Sequence, residues 1–287
     1  MQKIAMIYIC TWNYDVFWED FYNSSEKNFL PDCEKHYFVF TDSKKIISRE
    51  NITVILQEKE EWPHPTLKRF INIISLWENI NKYNQIIFNN ANTVFKKYIS
   101  IDDINLQNKN FFWVRYIPYT HLKPKYFPYD RNIKTSAFMK ENEWIIYYSA
   151  AFFWWKTSDF LELCEELNNW YESDKIKWDY PIWHDESYLN KYFYLHHNEI
   201  KILWPEYGYP EFSYFNVKCP KVVFSSKEKY GGWNYLRKTW YKITTLDKII
   251  YNSKYYFLKI SVSIIRLFRV RKLLGTYKKI VLKKEDF

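Results

Sequence analysis

Lys3-Ile4-Ala5-Met6-Ile7-Tyr8-Ile9-Cys10-Thr11 reads as a strand buried on both faces. The apolar run Ile4 to Cys10 is too short for a membrane span and does not resemble a signal peptide. A helix-like segment follows from Asp15 to Asn28, then buried strands over Tyr37 to Thr41 and Asn84 to Asn89, with helix-like sequence from Thr66 to Asn79 between them. Helical patterning returns at Ser158 to Glu172 and Glu186 to Leu195. Strands and helices that alternate in this way predict an α/β protein.

Composition narrows the chemistry. With only four glycines in 287 residues, the glycine loops that cradle phosphates in Rossmann and P-loop proteins are absent. A bound diphosphate must therefore be held by side chains and helix ends. Fourteen Trp and 27 Tyr suit stacking against the apolar face of sugar rings, or an aromatic core; composition alone does not separate the two. Cys10, Cys33, Cys164 and Cys219 have no metal-ligand spacing and read as reduced structural thiols in a reducing compartment. From Lys242 onward the chain carries 12 Lys or Arg against three acids, a net of +9 that equals the charge of the whole chain. The preceding body is neutral, which disfavours a nucleic-acid binder with a basic structured face.

The segment Trp183-His184-Asp185-Glu186-Ser187-Tyr188-Leu189-Asn190-Lys191-Tyr192 sets two acids side by side at the start of a helix. Their side chains diverge by roughly 100° and can do different jobs. Alone, such a pair also fits simple stabilisation of a helix N-terminus. The segment resembles the signature of the ABO blood-group and α-1,3-galactosyl transferases, glycosyltransferase family 6. Further matches fall in order: His36 to Asp42, Trp62-Pro63 followed by Lys68-Arg69-Phe70, Tyr147-Tyr148 through Phe152-Phe153, Pro205-Glu206-Tyr207, and Leu236-Arg237-Lys238. They span about the first 240 residues, and ordered matches of this kind are far more specific than one motif.

The resemblance implies a GT-A type single domain over residues 1–245, with a central mixed sheet flanked by helices and the nucleotide at the strands' C-terminal ends. A basic amphipathic tail would follow over 246–287. It also implies donor contacts from Ile9, Cys10, Thr11, Tyr14, Arg69, Asn90, Asn92, Ser149, Ala150, Ala151, Asp185, Arg237 and Lys238, with Lys248 as a looser candidate. Trp183, His184 and His121 would face the acceptor. Animal members carry Asp-Val-Asp, which binds manganese, where this chain has Asn90-Ala91-Asn92; bacterial members with Asn-x-Asn act without metal. Two neutral amides are poor ligands for a hard cation, so the expectation is no metal and no cofactor, with a UDP-sugar as co-substrate. Ala151 resembles galactose users more than N-acetylgalactosamine users, and both donors stay open. The family's Gly-Gly after this donor-selecting loop is replaced by Trp154-Trp155.

Members transfer with retention and form an α-1,3 linkage, which needs negative charge on the β-face of an oxocarbenium-like centre. Glu186 takes that role by position, as a covalent nucleophile or as a neighbour in front-face attack, and the departing phosphate serves as base. The implied acceptor is a galactoside, fucosylated in some relatives, within surface glycan synthesis of the O-antigen kind. A transferase for another acceptor sugar and an inactive or sugar-binding member are the alternatives. The animal members' membrane anchor finds no counterpart, which points to a cytoplasmic, bacterial-type protein. The tail reads either as a helix lying on the inner face of an anionic membrane or as one that packs back on the domain.

Overall fold

The computed structural model describes residues 2–104, 109–120, 122–213 and 217–237, together with Ser253, Tyr256, Phe257 and Ile260. The elements run β1 (Lys3–Cys10), α1 (Trp18–Asn28), β2 (Glu34–Thr41), β3 (Ile52–Leu56), α2 (His64–Leu67), α3 (Arg69–Ile74), α4 (Trp77–Ile80), β4 (Gln85–Asn89), β5 (Thr93–Phe95) and β6 (Phe111–Arg115). There follow β7 (Tyr148–Lys156), α5 (Thr157–Lys177), α6 (Asp185–Leu195), β8 (Ile200–Leu203), β9 (Tyr209–Pro210), β10 (Val222–Phe224) and α7 (Gly232–Leu236). The main sheet has the order β3-β2-β1-β4-β7-β6-β8. Its β3-β2-β1-β4 half is parallel, β7 runs antiparallel to both neighbours, and β8 is parallel to β6. A small second sheet has the order β5-β10-β9.

Strand alternation builds two cores, one on each face of the sheet. Ala5 and Ile7 of β1 join Phe153 and Trp155 of β7 beneath α3, α5 and α6. Ile4, Met6, Tyr8 and Cys10 join Phe152 and Trp154 on the opposite face, against α1 and β10. Trp154 and Trp155 thus occupy the place of a Gly-Gly without disturbing the strand: Trp155 stacks on Phe111 at 4.7 Å and Phe153 on Trp113 at 4.4 Å. The Tyr148 to Phe153 stretch, expected as a loop, is strand throughout.

Two helical expectations are corrected. Between Thr66 and Asn79 the chain forms three short helices, α2 to α4, separated at Lys68 and between Ile74 and Trp77. The segment from Asp15 begins inside a 3-10 turn, Trp12–Phe17, and turns α-helical only at Trp18. Among the described residues no helix is long and apolar enough to cross a membrane. The proposed tail, 246–287, lies almost wholly outside the described residues, as do His121, Lys238 and Lys248.

Candidate active site

Strands β1 and β4 are neighbours whose chain connections depart in opposite directions across the sheet, and such a switch point leaves a crevice beyond their C-terminal ends. A cleft of about 810 Å³ opens there. Ile9, Thr11 and Tyr14 line one side, Asn90 and Asn92 the floor, Ser149, Ala150 and Ala151 the edge of β7, and Trp183 through Glu186 the far wall. Of the residues expected at the donor, Cys10 alone among those described does not reach the cleft. Alternation along β1 turns its side chain into the core, where burial pushes the thiol up to about 12.

Both acids sit in the first turn of α6, and their surroundings differ. Asp185 is buried and forms an ion pair with Arg69, Oδ2 to Nη1 at 2.8 Å. Burial pushes this carboxyl up and the guanidinium down, and their mutual attraction opposes both shifts. Arg69 lies 4.3 Å over the Phe88 ring, and its Nε has no partner among the described residues. Glu186 turns the other way. Its Oε1 accepts from the Tyr147 hydroxyl at 2.7 Å and its Oε2 from the Ala150 backbone N–H at 3.0 Å. Burial nevertheless pushes it up to about 7, with the Asp185 charge adding to the rise.

Register between α6 and β7 is held by Asn190. Its Oδ1 accepts from Tyr148 N at 2.9 Å, and its Nδ2 donates to Tyr148 O at 3.0 Å and to Glu186 O at 2.9 Å. One amide thus clamps β7, which supplies Ala150 and directly follows Tyr147, to the helix that supplies Glu186. Just before the helix, His184 has φ 53° and ψ −123°, a conformation rare outside glycine. Burial lowers its pKa, which favours neutral imidazole, and its ring meets Trp62 edge-on at 5.3 Å.

The facing wall is cationic and aromatic. The Arg237 guanidinium lies 3.6 Å from the Trp62 ring centre and 4.1 Å from that of Trp233, and Lys227 Nζ lies 3.4 Å from the Trp233 ring centre and 5.5 Å from that of Tyr14. Burial, and then the charge of Arg237, push the Lys227 ammonium down to about 7. Sequence reasoning missed Lys227 and Trp233. In Ser225-Ser226-Lys227-Glu228-Lys229 the lysine looks like one of a solvated run.

On the floor, Asn90 N donates to Ala151 O at 2.8 Å, and Asn92 is joined to Ser225 twice: Ser225 N donates to Asn92 O and Asn92 Nδ2 to Ser225 O, both at 2.8 Å. A divalent cation fits poorly on this floor. Its side chains are neutral amides, and one of them is already engaged with the backbone. Among the described residues no three His, Cys, Asp or Glu side chains converge to hold a metal.

An α/β cleft that offers fixed carboxylates on one wall and stacked cations on the other has the parts of a group-transfer enzyme for an anionic, ring-shaped donor. The family model of glycosyltransferase family 6 matches residues 3–237, and the chain belongs to that family of enzymes. It is 31% identical over 237 residues to the O-antigen biosynthesis glycosyltransferase WbnI of Escherichia coli, covering 82% of this chain and 99% of that one. It is 25% identical to mouse globoside α-1,3-N-acetylgalactosaminyltransferase 1, over 77% of this chain and 65% of the relative. It is 23% identical to rat histo-blood group ABO system transferase 1, over 68% and 57%. Against these two animal proteins the chain spans somewhat under two thirds of the relative's length.

Proposed function

We propose that this enzyme moves galactose, with N-acetylgalactosamine as the competing donor, from a UDP-sugar to the 3-hydroxyl of a galactoside. The anomeric configuration is retained, an α-1,3 linkage forms, and no metal takes part. The observation that carries the reading is the Glu186 carboxylate, held by two donors beside the Asp185–Arg69 pair. In the transition state the bond from the anomeric carbon to the UDP oxygen breaks and positive charge develops on the sugar. Glu186 stabilises that charge from the β-face, and Asp185 with Arg69 holds sugar hydroxyls and so fixes the ring. Lys227 and Arg237 meet the charge gathering on the leaving diphosphate, with Asn90 and Asn92 donating to the sugar or phosphates. The acceptor 3-hydroxyl attacks the anomeric carbon and gives its proton to the departing phosphate oxygen. Trp183 supplies a face for the acceptor galactose, and neutral His184 a hydrogen-bonding ring.

We read the fold as GT-A type, and residues 246–287 as an appendage outside the catalytic domain that holds a cytoplasmic enzyme at the inner face of the membrane. Surface glycan synthesis of the kind named for the Escherichia coli relative is the setting that fits. Donor choice falls to the narrow edge formed by Ser149, Ala150 and Ala151, where one substituent is worth about 1–3 kcal/mol. The test is transfer from UDP-galactose and UDP-N-acetylgalactosamine to galactoside acceptors in EDTA, with the linkage assigned by NMR. Turnover should persist, favour galactose and give α-1,3 product. An absolute manganese requirement overturns the metal-free reading, and no transfer with or without metal overturns the function.

A further inference from the structure

Three consecutive residues just after β1 each reach a different part of the cationic wall. In the 3-10 turn Trp12–Phe17, Trp12 Nε1 donates to Glu60 O at 3.0 Å, Asn13 Nδ2 donates to Tyr235 O at 2.7 Å, and the Tyr14 ring centre lies 5.5 Å from Lys227 Nζ. The first bond lands two residues before Trp62, and the second lands between Trp233 and Arg237. One turn therefore fastens both segments whose indoles contact the Arg237 guanidinium. The fastening comes from behind, since Thr11 and Tyr14 line the cleft whereas Trp12 and Asn13 do not.

The turn is itself firmly held. Trp12 sits in the left-handed region, φ 64°, a conformation that persists in a non-glycine residue only where its surroundings over-determine it. Its N donates to Asp42 Oδ1 at 2.8 Å, Asp42 Oδ2 pairs with Lys59 at 3.2 Å, and Ser43 Oγ and Lys45 Nζ reach Asp15 Oδ2 at 2.6 and 2.8 Å. The wall needs such a base. Contacts between cations and rings fix direction weakly, and α7, five residues long, is too short to be stable alone. Arg237 Nε has no partner among the described residues, which leaves the guanidinium a donor for a ligand. We propose that Trp12 and Asn13 are positioning residues, which set Trp62, Trp233 and Arg237 at their distance from Tyr14 so that affinity for the donor depends on two hydrogen bonds that touch no donor atom. This rests on the proposed function, in which that wall meets the diphosphate.

The test is UDP binding to the full chain by calorimetry. Asn13→Ala, and Trp12→Phe, which keeps an aromatic ring and removes the N–H, should each weaken UDP about fivefold. Donor KM should rise with them while kcat at saturating donor changes little. In a Trp233→Ala/Arg237→Met background, where the stack is gone, the same two changes should alter affinity less than about twofold. Losses that persist in that background overturn the proposal, because the two residues would then act on folding or on the nucleotide directly. No loss in either variant overturns it as well. Should Asn13→Ala fail to fold, Trp12→Phe decides alone. Amide exchange in the ligand-free protein reads the fastening without any nucleotide: it should quicken at 58–62 in Trp12→Phe and at 232–237 in Asn13→Ala, and unchanged exchange at both overturns the proposal. A wild type that binds no UDP, with exchange altered as expected in the variants, counts against the proposed function and leaves the fastening standing.

Discussion

The two walls of the cleft are held in different ways. On the α6 wall each carboxylate has assigned partners: Asp185 has Arg69, Glu186 has Tyr147 and Ala150, and Asn190 locks the helix to β7. The opposite wall is a stack in which Arg237 and Lys227 lie over Trp62 and Trp233. Directed hydrogen bonds fix an atom to a fraction of an ångström, as stabilisation of a forming charge demands. Cation–aromatic contacts are less directional, which suits a wall that, on the proposed function, accepts a diphosphate and lets it go. On the proposed reaction the first wall acts on charge that forms only at the sugar, while the second holds a diphosphate that is charged before, during and after transfer. Its aromatic members therefore bear more on affinity than on rate.

The sharpest way to break that assignment is Glu186→Gln. It should reduce kcat about 10³-fold with donor KM little changed, as initial-rate kinetics would show; near-normal turnover removes Glu186 from the chemistry. Next is Arg69→Ala, which strands a buried carboxylate and should cost about 3–5 kcal/mol in urea denaturation. Arg69→Met/Asp185→Leu should recover most of that stability without recovering activity. Asn190→Asp keeps the shape but loses the donors to Tyr148 O and Glu186 O. It should lower kcat about tenfold and displace the acid limb of the kcat–pH profile, with KM barely moved; a pure stability loss would leave that limb in place. Trp233→Ala should weaken UDP binding about fivefold by calorimetry, with kcat nearly intact. A large kcat loss there would dissolve the distinction between the walls.

The smallest effects lie in pH. Glu186 is pushed up to about 7, and the role proposed for it needs the carboxylate, so kcat/KM for the donor should rise through that pH. Lys227, pushed down to about 7, loses its charge above it, so the same profile should turn over rather than reach a plateau. Glu186 holds its proton more tightly folded than unfolded. Its contribution to stability is therefore complete below the ordinary carboxylate range and lost as pH rises through about 7. Glu186→Gln should flatten that part of the stability profile.

Much of this was legible in the sequence because the signals were local. A strand buried on both faces shows as an unbroken apolar run, and β1, β2 and β4 appear within a few residues of where they were expected. The signature around Glu186 is contiguous, so one helical turn delivers both acids. β7 was harder. Ser149-Ala150-Ala151 looks like a loop, and only the aromatic lattice made with Phe111, Phe112 and Trp113 of β6 explains why Trp154 and Trp155 belong inside a sheet. The cationic wall was half visible, since Arg237 follows from a motif, while Lys227 acquires its meaning from Trp233 and Tyr14 across the cleft. Tertiary contacts of that kind leave no periodicity to read.

The paired hydrogen bonds between Asn92 and Ser225 bear on how such a site can evolve. An aspartate at position 92 would set a carboxylate oxygen against the Ser225 carbonyl, where the amide now donates at 2.8 Å. Two acceptors would then face each other at the root of the segment that carries Lys227. An aspartate there would have to turn away from Ser225, and of its two bonds to residue 92 the segment that carries Lys227 would keep only the backbone one from Ser225 N. The Asn92 amide is thus wired through one carbonyl to the segment of Lys227, so the floor of the cleft and its cationic side are not free to change independently of each other.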